Sequence, residues 1–410
     1  MSAETFIYPY SETVAYLQSS DIRDLMKYAI REDFISFAGG MPNNHLFPVD
    51  EVEKIYHNLP RHIKELSFQY GPTTGYPPLV EVMKKYMESK GIDMSEHRLM
   101  ITTGSLQAIY IVTQLFADPG DTLITENPSF IGALTLFKSF QVKLHGVSMD
   151  HNGIIPEKLE ETFRKAKKQN EKIKFLYVIP NFHNPAGLIY SKERRKFLLD
   201  FIEKNDLILL EDDAYNELYF SDLSKNKTVP VIAMAQDSQR QKIIYAGTFS
   251  KILGPGFRLG WLVLPEEIFH KAEIIKQSLD ACSPNLSQVI AHAFIEGGYM
   301  RNYLQRIRPE YKLRRDLTIE SVKKYFPQNV KYVEPQGGFY IWFELPEGIS
   351  AKQVLDYAID NGVVFVLGKS FDPARISDNT FRLAYSNVNP NDIRPGIKII
   401  AEGIEYAMKT

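Results

Sequence analysis

The chain has 410 residues, more than one hydrophobic core usually serves, because single cores stop growing near about 250 to 300 residues. With 44% hydrophobic and 24% charged residues it has the make-up of a folded globular protein, which excludes the disordered and fibrous classes. A formal net charge of -2 gives no broad basic footprint for nucleic acid or an anionic membrane, so any bound anion must be held by a local site. The N-terminus lacks a basic stretch followed by an apolar one, and apolar runs are only a few residues long. Neither a secretory leader nor a spanning helix is expected, and the cytoplasm is the expected location. The single cysteine, Cys282, cannot form an internal disulfide and reads as an inert thiol. No metal site is expected.

In chain order, residues 13–32 read as a helix capped near Ser19 to Asp21, with Arg23 in its first turn. Short apolar runs at 98–102, 121–125, 142–147, 173–179, 207–211, 242–246 and 260–264 read as seven strands. Between them, 104–117, 128–140, 156–170 and 191–205 carry apolar residues three and four apart, as crossover helices do. This alternation predicts an α/β fold with a mostly parallel sheet. From Pro265 to about residue 326 the pattern is one long helical stretch, and 331–410 returns to short strands between helices, a smaller α+β domain. The expected division is an arm and mobile helix over 1–47, counted with the small domain, a large domain over 48–292, and the small domain over 293–410.

In open α/β sheets ligands sit beyond the carboxyl ends of the strands. Gly104-Ser105-Leu106-Gln107 follows the first strand, Asn184-Pro185-Ala186-Gly187 the fourth, Asp212-Asp213-Ala214-Tyr215 the fifth, and Thr248-Phe249-Ser250-Lys251 the sixth, with Arg258 seven residues on. A lysine in an apolar setting beside a cation loses basicity, as a Schiff-base lysine must. Thr248, Ser250 and Arg258 are donors suited to a phosphate, and Ser105 opens a helix, whose first amides and dipole attract anions. Pyridoxal phosphate needs a carboxylate against its pyridine nitrogen, and two adjacent aspartates are available; Tyr215 and Asn184 can hydrogen-bond its phenolic oxygen. Phe130 can stack on the ring or fill the core. Arg382, among the apolar residues Phe381, Leu383 and Ala384, needs an anionic partner, and a substrate carboxylate would serve.

These residues carry a resemblance. Ser36-Phe37-Ala38-Gly39-Gly40-Met41-Pro42, Gln69-Tyr70-Gly71-Pro72-Thr73-Thr74-Gly75, Asn184-Pro185-x-Gly187, Asp212-x-x-Tyr215 and Ser250-Lys251 with Arg258 are similar to the fold-type-I, class I/II aminotransferases, most of all the kynurenine/2-aminoadipate aminotransferase group. The resemblance implies pyridoxal phosphate on Lys251, Asp212 at the ring nitrogen, and Asn184 and Tyr215 at the phenolic oxygen. It implies Ser105, Leu106, Gln107, Thr248, Ser250 and Arg258 around the phosphate, Phe130 against the ring, and Arg382 with Gly40 and Asn184 at the substrate carboxylate. It also implies a homodimer in which Tyr70 reaches the partner's phosphate. Arg23 is then expected to reach the distal carboxylate of 2-oxoglutarate, glutamate or 2-aminoadipate and to swing away from apolar donors.

Amino transfer in two half-reactions is the expected activity. A lyase or decarboxylase on the same fold is the alternative, because the cofactor lets several bonds break and orientation decides which does. A non-catalytic effector-binding domain is disfavoured, because the stretch before Ser36 is too short for a winged helix. Gly254-Pro255-Gly256-Phe257-Arg258-Leu259-Gly260 has one residue too many for a dinucleotide fingerprint.

Overall fold

The computed structural model describes residues 8–11, 13, 14, 25, 27, 28, 31, 33–220 and 228–409. Arg23 and most of the helix expected over 13–32 lie outside them. In chain order the strands are β1 (Ile35–Ser36), β2 (His97–Thr102), β3 (Thr122–Asn127), β4 (Lys143–Asp150), β5 (Gly153–Ile154), β6 (Ile173–Val178), β7 (Ile208–Asp212), β8 (Ile243–Thr248) and β9 (Gly260–Pro265). They continue with β10 (Lys331–Tyr332), β11 (Tyr340–Glu344), β12 (Val363–Val364), β13 (Val366–Leu367) and β14 (Thr380–Ala384).

The seven strands read from the sequence form one sheet, extended by the short β5, in the order β2-β9-β8-β7-β6-β3-β4-β5. Neighbours from β8 through β7, β6 and β3 to β4 run parallel. β9 runs antiparallel to both β2 and β8. Helices Ser105–Phe116, Ile131–Ser139, Pro156–Lys168 and Lys192–Asn205 occupy the expected crossovers. The central strands are apolar on both faces because both are covered: Met100, Leu123, Phe175, Leu210 and Leu262 pack in one core cluster, and Ile101, Ile124, Leu176, Leu209 and Val263 in the other.

The stretch expected as one helical run is three helices, Glu266–Asp280, Asn285–Glu296 and Tyr299–Tyr325. Pro284, with its fixed φ and no N–H, precedes the second, and Gly298 at φ +72° precedes the third. The last part of the chain builds an antiparallel sheet ordered β10-β11-β14-β13. β1 pairs in parallel with β12, and Phe37 accepts from the Ala384 amide, which carries residues 37–40 to the carboxyl end of β14. Among the described residues no helix is long and apolar enough to cross a membrane.

Candidate active site

The carboxyl ends of β2, β3, β6, β7 and β8 lie at one edge of the large sheet. Because β9 is reversed, the residues just before it, Arg258 among them, arrive at that same edge. A cavity of about 550 Å³ opens there, and its lining includes Gly40, Ser105, Leu106, Phe130, Asn184, Asp212, Tyr215, Thr248, Ser250, Lys251, Arg258 and Arg382. Residues from seven separate stretches of the chain thus converge. A larger surface cleft, about 640 Å³, is lined by Gly187, Lys192, Glu193, Arg195 and Glu334 among others, but none of the expected site residues lines it.

At one end of the cavity Gly104, at φ +86°, turns the chain from β2 into helix Ser105–Phe116. A side chain there would press on the Arg258 guanidinium, 3.1 Å from the Cβ position, so the glycine permits both the turn and the close approach. The first amides of that helix have no intrahelical acceptor and aim at the cavity mouth. Thr248 accepts from the Ser250 amide at 3.1 Å and its hydroxyl lies 2.9 Å from the Ser250 hydroxyl. Two hydroxyls, a guanidinium and a helix N-terminus together make a set of donors that a phosphate would fit.

In the middle stand the lysine and the carboxylate. Lys251 donates to the Gly40 carbonyl at 3.3 Å. Burial, with the like charges of Arg382 and Arg258, lowers its amine to about 8. Asp212 ends β7 fully enclosed, and burial raises its carboxyl to about 7 against the opposing Tyr177 hydrogen bond, with Asp213 and Glu126 adding to the rise. The Tyr177 hydroxyl donates to Asp212 Oδ2 at 2.8 Å, while Oδ1 is buried without a partner. Asp213 differs: Asn181 donates to it at 3.1 Å, Asn216 at 2.7 Å and Tyr245 at 2.9 Å. Of the two adjacent aspartates, only Asp212 has an oxygen left for a ligand.

At the other end Arg382 on β14 is buried between the rings of Tyr340 and Phe371, 4.5 Å and 4.7 Å from their centroids. It donates to Asn184 Oδ1 at 3.1 Å and to the Ala38 carbonyl at 2.5 Å; its Nε is buried without a partner. No carboxylate pairs with it in these bonds. Asn184 is held from behind: His183 accepts from the Ala186 amide at its Nδ1, so its proton sits on Nε2, 3.0 Å from Glu126. Glu126 also accepts from the Tyr190 hydroxyl at 2.6 Å and from the Ile179 amide.

Three expected site residues are not among those lining the cavity. Gln107 turns away: its side chain accepts from the Thr103 amide and donates to Asp280, which also binds the buried Lys276. It therefore braces the helix N-terminus, because in the first turn Ser105 and Leu106 are the residues that face the mouth. Tyr70 is 81% exposed and away from this chain's cavity. Arg23 is outside the described residues. Conversely, Tyr340, Tyr177, Glu126 and His183 were not picked from the sequence. Tyr340 and Tyr177 sit in strand runs where an aromatic reads as core, and nothing in the spacing says which hydroxyl meets the site.

The donor set fits pyridoxal phosphate: a phosphate cradle, a lysine of lowered basicity, and a buried carboxylate oxygen without a partner where a ring cation would sit. The family model described as aminotransferase class I and II matches residues 42–400. An aromatic-amino-acid aminotransferase of Thermococcus litoralis is 37% identical over 98% of this chain and 95% of its own length. The kynurenine aminotransferase of Pyrococcus horikoshii, solved in complex with PMP, superposes with a TM-score of 0.93 at 37% identity, covering 98% of each chain. The α-aminoadipate aminotransferase of Thermus thermophilus, solved with N-(5'-phosphopyridoxyl)-L-leucine, has a TM-score of 0.87 at 32% identity, again covering 98% of each. The chain belongs to the class I and II aminotransferases, enzymes of PLP fold type I that work with pyridoxal phosphate.

Proposed function

We propose that this aminotransferase moves the amino group of an L-amino acid, a 2-aminoadipate, aromatic or branched-chain donor, to 2-oxoglutarate in a ping-pong cycle. Pyridoxal phosphate, when bound, supplies an electron-accepting ring. Lys251 would hold the cofactor and is the base placed to move the donor's Cα proton, its amine lowered to about 8 by burial and by the like charges of Arg382 and Arg258. Asp212, through its partnerless oxygen, would keep the ring nitrogen protonated. Asn184 and Tyr215 would hold the phenolic oxygen, with Phe130 beside the ring. Ser105, the Leu106 amide, Thr248, Ser250 and Arg258 would hold the phosphate, with Gln107 bracing that turn from behind.

The observation that carries the substrate half is Arg382, a buried cation with an unpaired Nε and no carboxylate among its hydrogen-bond partners. Such a charge is costly until an anion arrives, and a bidentate substrate carboxylate satisfies it with Asn184 and Gly40 alongside. Pinning the carboxylate keeps it in place while the Cα–H bond is the one that breaks, which favours transfer over decarboxylation. We further assign two copies per active unit with Tyr70 reaching the partner's phosphate, a cytoplasmic location, and domains over 48–292 and 293–410, with 1–47 joining the latter.

The test is a panel of L-amino acids added alone to the cofactor-loaded protein. A donor bleaches the visible absorption and releases its 2-oxo acid, and 2-oxoglutarate then restores the absorption. Release of carbon dioxide with no 2-oxo acid would overturn the reading. In the same panel Arg23→Ala loses about 2 to 4 kcal/mol on dicarboxylic substrates and little on aromatic or leucine donors; equal losses on both would remove Arg23 from substrate selection.

A further inference from the structure

Tyr340 opens β11 and is only 3% exposed. Its ring covers Gly40, where an added Cβ would lie 2.0 Å from the hydroxyl oxygen, and the Arg382 guanidinium lies over the same ring. The hydroxyl itself is 2.8 Å from that of Tyr215 and 3.5 Å from the Gly40 carbonyl, which also accepts from Lys251. A phenol has one hydrogen to donate. If Tyr215 spends its hydrogen on a ligand oxygen in the cavity, its own oxygen is left as an acceptor, and Tyr340 is the donor in reach. The competing bond to Gly40 is at the limit of hydrogen-bond length, so the 2.8 Å contact wins.

We propose that Tyr340 is a positioning residue acting through Tyr215: its hydroxyl donates to the Tyr215 oxygen, turns the Tyr215 hydrogen into the cavity and strengthens it as a donor. The inference rests on the role given above to Tyr215 at the phenolic oxygen. Two linked hydroxyls polarise one another, each bond gaining about 10 to 30%. The charged and titratable groups facing the pair are Arg382 over the Tyr340 ring, Lys251 at 5.6 Å from the Tyr215 ring centre, and Asp212 with Tyr177 behind Tyr215. Arg258 bears on the pair through Lys251.

Tyr340→Phe removes the donor and keeps the ring, hence the packing on Gly40 and under Arg382. The readout is the pH midpoint of the visible absorption change of the cofactor-loaded protein. The proton reported there is shared with the phenolic oxygen, so a weaker hydrogen bond to that oxygen holds the proton more tightly and moves the midpoint up. Tyr340→Phe raises it by about half a unit to one unit, the worth of one net hydrogen bond. Tyr215→Phe raises it further, and the double variant matches Tyr215→Phe alone, since without Tyr215 there is nothing for Tyr340 to act through. The KM for the amino donor stays within about threefold because the Arg382 stack is intact. A midpoint that moves in Tyr215→Phe but not in Tyr340→Phe overturns this inference and leaves the Tyr215 role standing. No movement in Tyr215→Phe overturns both. An equal shift from Tyr340→Phe in both backgrounds also overturns it, because the effect then bypasses Tyr215.

Discussion

Asp212→Asn isolates the charge that holds the ring nitrogen. Asparagine keeps an oxygen for the Tyr177 hydroxyl, 2.8 Å away in the native site, so the local packing survives. What is lost is the interaction of a full negative charge with a ring cation. At about 4 Å and an effective dielectric near 20 that interaction is about 4 kcal/mol. This corresponds to about three pKa units on the ring nitrogen, or a rate loss on the order of a thousandfold if the neutral ring accepts electrons poorly. Burial raises the Asp212 carboxyl to about 7, so a cation beside it would favour its ionised form. The assay is the donor-only half-reaction followed by stopped-flow absorbance, with the melting temperature as a control for folding. A loss below about tenfold with an unchanged fold would refute the assignment. Asp213→Asn serves as the contrast: its donors from Asn181, Asn216 and Tyr245 are structural, so its main effect is on stability, about 1 to 3 kcal/mol.

The lysine gives a pH prediction. An amine lowered from its usual range to about 8 binds fewer protons in the folded protein than in the unfolded chain between pH 8 and the unfolded value near about 10.4. The apoprotein therefore gains stability as pH rises through that window, and its capture of pyridoxal phosphate quickens as pH passes about 8. A capture midpoint above about 10, or capture unchanged in Lys251→Ala, would contradict this. Arg382→Lys keeps the charge but not the planar fork, and should cost about 2 to 4 kcal/mol in kcat/KM for amino donors; a donor KM unchanged within experimental scatter would remove it from carboxylate binding. Tyr70→Ala mixed with Lys251→Ala should regain activity through hybrid dimers, each holding one intact site. A fully active monomer in sedimentation would exclude shared sites.

Much of the fold was legible because its strands are short apolar runs between amphipathic helices, and both periodicities are local. The meeting of Ser105, Thr248, Ser250 and Lys251 at one cavity was legible for the same reason: each follows a strand end, and parallel strands bring their ends to one edge. The helical stretch from Pro265 was misread as continuous because amphipathic spacing resumes after Pro284 and again after Gly298, and periodicity outweighed the breakers. Gln107 was drawn into the site by its place in the first turn, yet a helix turns about 100° per residue and its side chain faces Asp280.

By itself the sequence determined that Lys251, Asp212, Asn184 and Arg258 lie at strand termini of an α/β sheet, since that follows from local pattern and chain direction. Only tertiary structure decided which of two adjacent aspartates keeps an open oxygen, because the answer depends on Asn181, Asn216 and Tyr245 reaching Asp213 first. It likewise decided that Arg382, almost two hundred residues from Asn184, donates to it, and that Tyr340 meets Tyr215 and Gly40. Such contacts join residues far apart in the chain, and no local spacing encodes which side chain fills the last few ångströms between packed elements.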